Sequence, residues 1–259
     1  MSCRDLFLRI SQLNFMDAGG LQSACMSIAG NIAQIRQRMA AAALRAGRQP
    51  GEVALMAVSK TMPADRIREA FEAGQRLFGE NRVQEFQSKH AELSAEAIER
   101  AQFHLIGHLQ SNKAVKAAEL FQAVDSVDSL RLAERLDAAA AKLGKTLRIL
   151  IEVNIGGEPE KSGVEPGSVE LVRIFESASR LPHLEIRGLM TVPPFAEDPE
   201  AARPHFRRLR ELRDRLTTQT KLGLPELSMG MSHDFEVAIE EGSTCVRVGT
   251  AIFGARGEL

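Results

Sequence analysis

Tryptophan and tyrosine are both missing from the 259 residues, and only phenylalanine, with 12 copies, supplies aromatic rings beside histidine. Stacking on nucleobases, the usual device of single-strand binding, would therefore fall to Phe or His. Charge imbalance is missing too. A formal net charge of −1 gives no electrostatic case for nucleic acid or for an anionic membrane surface. Cysteine is scarce: Cys3, Cys25 and Cys245 are an odd, scattered set without the paired spacing of a metal site. That pattern suits a reducing compartment and thiols that need no partner. No apolar run approaches the roughly 20 residues that cross a bilayer. Met1 to Met26 breaks its short apolar pieces with Arg4, Arg9 and Asp17, so it lacks a signal-peptide core. The expectation is a cytoplasmic protein with no nucleic-acid and no membrane partner. Residues 1–27 would form an N-terminal extension, a helix laid on the surface, and residues 28–259 one domain.

What is present is a strict alternation. Ile28, Ile32, Ile35, Met39 and Ala43 recur at helical spacing and predict a first helix, ended by Gly47 and Pro50. Val53 to Lys60, Val-Ala-Leu-Met-Ala-Val-Ser-Lys, reads as a buried parallel strand, and Pro63 opens a helix that Gly74 closes. Further strands are expected at 76–79, 103–107, 121–127, 147–154, 186–192, 227–231 and 244–248. Helices fall between them: one from Val83 towards Leu93, one capped by Ser111 or Asn112, one capped by Asp128 or Ser129, and a long one carrying Phe206, Leu209, Leu212 and Leu216. Arg207, Arg208, Arg210, Arg213 and Arg215 around that long helix read as a solvated face. Eight strand–helix units predict an α/β fold, a single (β/α)8 barrel of the TIM type, with the extra N-terminal helix capping one barrel end. An open doubly wound sheet is the competing topology, but no Gly-x-Gly-x-x-Gly turn follows the first strand.

In such a barrel the working residues gather at the C-terminal ends of the strands. Those positions are Ser59-Lys60, Glu80-Asn81, Gly107-His108, Asp125, Asn154, Met190-Thr191, Ser228 to Ser232 and Arg247 to Thr250. Lys60 at the mouth of a buried strand is either a lysine reaching for solvent or an amine made nucleophilic by partial desolvation. Ser228, Gly230, Ser232, Gly249 and Thr250 supply the glycines and hydroxyls of a phosphate-binding pair of loops after the last two strands. Arg247 interrupts an apolar strand, where a guanidinium needs a partner or an interior ligand. A lysine for an aldehyde, a cradle for a phosphate and an arginine between them are the handles of pyridoxal 5'-phosphate (PLP).

Six blocks carry a family resemblance. They are Ala57 to Thr61, Phe78 to Glu85, His104 to Lys113, Gly188 to Thr191, Leu227 to Asp234 and Gly242 to Gly254. From about Ile28 to Arg256 the chain resembles the YggS/PROSC family of pyridoxal phosphate homeostasis proteins. The resemblance implies a barrel like the N-terminal domain of alanine racemase. It implies PLP held as a Schiff base on Lys60, with Arg247 at the pyridine nitrogen and Ser228, Ser232, Gly249 and Thr250 on the phosphate side. Asn81 would lie near the ring. Apo PLP-dependent enzymes are the partners it implies, and the absence of the racemase's second domain points to a monomer.

Racemisation needs an acid/base on each face of the substrate carbon, in alanine racemase a lysine and a tyrosine. With no tyrosine in the sequence, the expectation is a PLP carrier that buffers or delivers cofactor without efficient racemase activity. The alternatives are a residual racemase using Cys or His, with His108 at a strand end, and a lysine aldolase acting on a phosphorylated substrate. A metal hydrolase built on His104 and His108 is set aside. Lys113 and Lys161 could hand over cofactor, or be ordinary surface lysines.

Overall fold

The structure, a computed structural model, describes residues 27–254. Eight parallel strands, paired in sequence order, close into a barrel. They are β1 (Ala54–Val58), β2 (Leu77–Glu80), β3 (Gln102–Leu105), β4 (Ala123–Val127), β5 (Leu147–Glu152), β6 (Leu184–Met190), β7 (Glu226–Met231) and β8 (Cys245–Val248). Each strand follows the sequence expectation to within a few residues. The expected extension at residues 1–27, like Cys3 and Cys25, lies outside the described residues but for Ser27, which caps the first helix through its side chain (3.2 Å to Gly30 N).

Alternation along each strand sorts the side chains into two cores. Outward-facing Phe78, Phe103, Val124, Ile149, Ile151, Leu227 and Val246 join the apolar shell beneath the helices. Phe78, Phe86, Phe103 and Phe121 form a ring cluster there, with centroids 4.6–5.4 Å apart. The opposite parity turns Met56, Leu150 and Met190 into the barrel lumen, all buried, together with the buried polar side chains His104, Asp125, Ser228 and Arg247. Met56 stands beside Arg247 in the β1–β8 register, so the guanidinium rises from an apolar floor.

Around the strands run α1 (Ile28–Arg45), α2 (Ala64–Glu72), α3 (Val83–His90), α4 (Ala95–Arg100), α5 (Ala114–Leu120), α6 (Leu130–Lys142), α7 (Val169–Glu176), α8 (Arg203–Thr220), α9 (Phe235–Glu240) and α10 (Thr250–Phe253). The helix after β2 breaks in two, because Ser94 caps a second one by accepting from Ala97 N at 3.2 Å. Ser129 caps α6 as expected, whereas neither Ser111 nor Asn112 caps α5, which grows out of a 3₁₀ turn over Ser111–Lys113. Gly74 ends α2 with φ +88°, letting Gln75 N reach back to Ala70 O at 3.0 Å.

Two expectations are corrected. α1 does not cap a barrel end; it lies on the wall against α9, α10 and α2. α10 has four residues and stops at Gly254 (φ +90°), too short to cover the seam between β8 and β1. α1 takes that place with its buried stripe Ile28, Ile32, Ile35 and Met39. Arg38 and Arg45 then pair with Glu236 of α9 at 2.8 and 2.9 Å, and Arg48 donates to Ile239 O and Ser243 O. The arginines of α8 are also not simply a solvated face. Arg203, Arg207 and Arg210 converge on the buried carboxylate of Glu241 at 3.0–3.3 Å.

Candidate functional site

A cavity of about 640 Å³ opens at the C-terminal ends of the strands. Lys60, Asn81, Ser232, Arg247, Gly249 and Thr250 all line it. Ser228 does not. It lies one layer deeper, fully buried, where its Oγ and carbonyl O each accept a hydrogen bond from Arg247 Nη1 at 2.7 Å.

Lys60 follows β1 at the parity of Met56 and Val58, so its side chain enters the lumen side. The main chain on either side of it is clamped. Ser59 N donates to Gly79 O at 3.0 Å and Ser59 Oγ donates to Glu80 Oε1 at 2.7 Å. Buried Lys89 donates to Ser59 O at 2.8 Å and to both Glu80 oxygens at 3.0 Å. It also pairs with Glu85 at 2.6 Å, and Glu85 accepts from Thr61 N at 2.5 Å. Thr61 sits at φ +64°, a left-handed conformation that costs a threonine of the order of 1–3 kcal/mol and is held by this network. Burial pushes the Glu80 carboxyl up, against the opposing pull of Lys89 and Ser59. Burial also acts on Glu85, but hydrogen bonds from Lys89 and Thr61 N outweigh it and hold that carboxyl low.

Arg247, 4% exposed, is fixed from two sides: Nη1 on Ser228, and Nη2 donating to Thr191 O at 2.6 Å. Burial draws its pKa down from the ordinary arginine value, and the nearby acids, including Asp125, Glu152 and Asp234, act in the other direction. The cavity's far side is formed by β3, β5 and the loops after β5 and β6. His108 Nδ1 lies 3.0 Å from Asp128 Oδ2, and Lys161, on the rim, reaches Pro193 O at 3.2 Å and pairs with Glu158. Phe195, 78% exposed, stands at the mouth beside His233. Gly107 lets β3 end flush against its neighbour: a Cβ there would meet Asn81 O at 2.4 Å.

Other strand-end residues prove to serve the frame. Asn154 binds its own loop, accepting from Gly157 N and Glu158 N and donating to Glu158 O. Asp125 is buried with His104 at 3.2 Å, beneath the cavity. Lys113 is not among the lining residues. Among the described residues no cluster of His, Cys, Asp and Glu could hold a metal ion. The Cys245 thiol is pushed up to about 12 by burial and stays protonated. The sequence reading missed Glu152, Ser162, Glu160 and Phe195, all in the lining. Glu152 had a signal: it shares the inward parity of Leu150 and carries a charge at the end of an apolar strand.

The barrel and its mouth define a class. A family model described as alanine racemase, N-terminal domain, matches residues 27–257. An alanine racemase of Clostridium difficile 630 superposes with a TM-score of 0.65 at 13% identity, over 88% of this chain and 57% of that one, a likeness of fold alone. Closer relatives narrow the class. A pyridoxal phosphate homeostasis protein of Aquifex aeolicus is 45% identical over 231 residues, 89% of this chain and 99% of the relative. PipY of Synechococcus elongatus PCC7942, solved with PLP bound, is 41% identical with a TM-score of 0.77, covering 88% of this chain and 100% of that one. The chain belongs to the pyridoxal phosphate homeostasis protein family.

Proposed function

We propose that this protein binds PLP in the barrel mouth as a Schiff base on Lys60 and takes part in PLP homeostasis by buffering or delivering the cofactor, without efficient racemase activity. One observation carries the reading. A lysine on a clamped strand end, a buried arginine and the turns at Ser232 and Gly249-Thr250 line one cavity, in a chain whose relative PipY is a PLP complex.

The residues fit the group. Arg247 keeps its charge in an apolar setting and stands ready for an acceptor such as a pyridine nitrogen. Backbone N–H groups at the start of a helix lack intrahelical partners, which suits Gly249 and Thr250 to an anion, and the Ser232 hydroxyl can add a donor. Asn81 would hold the ring edge. When bound, PLP supplies an electrophilic aldehyde and an electron sink. An arginine at the ring nitrogen leaves that nitrogen unprotonated and the sink weak, which favours storage over turnover. The sequence contains no tyrosine, and Cys245 is a half-buried thiol whose raised pKa keeps it protonated.

His108 lines the cavity and is paired with Asp128, which keeps a residual acid–base activity as a second reading. A racemisation assay decides between the two. We expect no robust turnover of alanine; turnover lost in both Lys60→Ala and His108→Ala would replace the carrier reading. An aldolase would be colourless as purified, whereas a bound pyridoxal imine is yellow. Apo PLP-dependent enzymes are the proposed recipients, with the protein acting as a monomer in the cytoplasm.

A further inference from the structure

Glu152 closes β5 and lines the cavity, yet it is only 6% exposed. Its Oε1 accepts from Ser162 Oγ at 3.0 Å, and its Oε2 is buried with no hydrogen-bond partner. Among the described residues, no other cavity-lining side chain has a buried polar atom left without a partner. A buried polar group without a partner costs about 1–3 kcal/mol. Oε2 is closed off from solvent, so a ligand recovers that cost once the carboxylate turns to present an oxygen to the cavity that Glu152 lines.

PLP offers four polar handles. Lys60, the Ser232 and Gly249-Thr250 turns, and Arg247 account for the aldehyde, the phosphate and the ring nitrogen. The fourth, the phenolic oxygen, flanks the aldehyde on the side opposite the phosphate arm. With the phosphate held at the turns after β7 and β8, that oxygen would face the part of the lining that β3, β5 and the loop after β5 supply, Glu152 among it. We infer that Glu152, seated by Ser162, is a further cofactor-contacting residue that shares a proton with the phenolic oxygen of PLP. The inference rests on the proposed cofactor site.

Two anionic oxygens cannot sit in contact in a buried site, so the pair must hold one proton between them. Burial and the nearby Asp128 push the Glu152 carboxyl up, which favours the protonated, donating form. Ser162, Arg247 and His108 pull the other way, and Lys60, Glu160 and Lys161 also face the cavity.

The test uses full-length protein loaded with PLP. The yellow imine band and its borohydride trapping on Lys60 are checked first; failure at that step counts against the cofactor site itself. The band is then followed from mildly acidic to mildly alkaline pH in wild type, Glu152→Gln, Glu152→Ala and Asn81→Ala. We expect a pH transition in wild type that Glu152→Gln, a neutral isostere, abolishes or moves by roughly one unit or more. Glu152→Ala should release PLP on the order of 10-fold faster. Identical titrations and release in wild type and both Glu152 variants would overturn the inference, as would a transition altered only by Asn81→Ala.

Discussion

Lys89 shows how much one side chain can hold here. It lies almost wholly inside the protein and serves two carboxylates, Glu80 and Glu85, and the Ser59 carbonyl. Removing one partner of a buried ion pair leaves an uncompensated charge, at a cost of about 3–5 kcal/mol. Lys89→Met should therefore lower the urea midpoint by that equivalent, while the Glu80→Gln/Lys89→Met double variant recovers part of the loss. Equal midpoints for wild type and Lys89→Met would mean that the network is a bystander. Arg247 makes the companion case. Arg247→Ala frees the Ser228 and Thr191 carbonyls inside the lumen and should lower both stability and PLP retention. Unchanged retention would remove Arg247 from the site.

Legibility varied from residue to residue. Lys60, Asn81, Ser232, Arg247, Gly249 and Thr250 stood at strand ends or in the turns after them, and all reach one cavity. In sequence Ser228 reads as part of the same turn, but it is four residues upstream of Ser232 and still within β7, which places it beneath the arginine. Glu152 does not stand out in sequence because the strand pattern continues to Asn154, whereas β5 ends at Glu152 itself. Lys89 and Glu85 are a plain i, i+4 pair on a helix, and nothing in one dimension says that the pair turns inward onto β1.

At the scale of elements, α1 is the piece whose existence was legible and whose place was not. A helix with one apolar stripe can cover the end of a barrel or its wall equally well. The choice is made by α10, whose four residues leave the β8–β1 seam uncovered. Since α1 closes that seam, Ile35→Ala (2% exposed) should cost about 2–5 kcal/mol in a denaturation series. Leu44→Ala on the same helix, where Leu44 is 65% exposed, should cost no more than about 0.5 kcal/mol. Similar losses at both positions would contradict the wall placement. By contrast, the alternation of strands and helices was legible almost throughout, because each buried parallel strand is a short apolar run between punctuating glycines, prolines and caps.

Across the whole molecule, acid should act in two directions. Glu236, Glu240 and Glu241 are held below the ordinary glutamate value. For Glu241 burial pushes up, but the Arg207 and Arg203 hydrogen bonds prevail. Depressed carboxylates give stability that is present above their unfolded pKa and is lost as pH falls through the folded one. Glu80, Glu152 and Asp234 are raised by burial, so their cost at neutral pH eases as they protonate. The melting temperature should hold steady or rise slightly into mild acid, then fall once the pH drops below the ordinary glutamate value of 4.5. Glu241→Gln should melt below wild type at neutral pH, and the gap should close in acid. A gap independent of pH would dissociate the arginine cluster from the acid transition.

The proposed function rests on one covalent bond, between the cofactor and Lys60. Its most direct test is the absorbance spectrum of the purified or PLP-reconstituted protein before and after borohydride, with peptide mapping of the reduced adduct. The expected result is a yellow imine band that reduction removes, leaving a pyridoxyl group on Lys60, with no band in Lys60→Ala. A protein that stays colourless after reconstitution, or an adduct mapped to another lysine, would contradict the assignment of Lys60 as the cofactor's anchor.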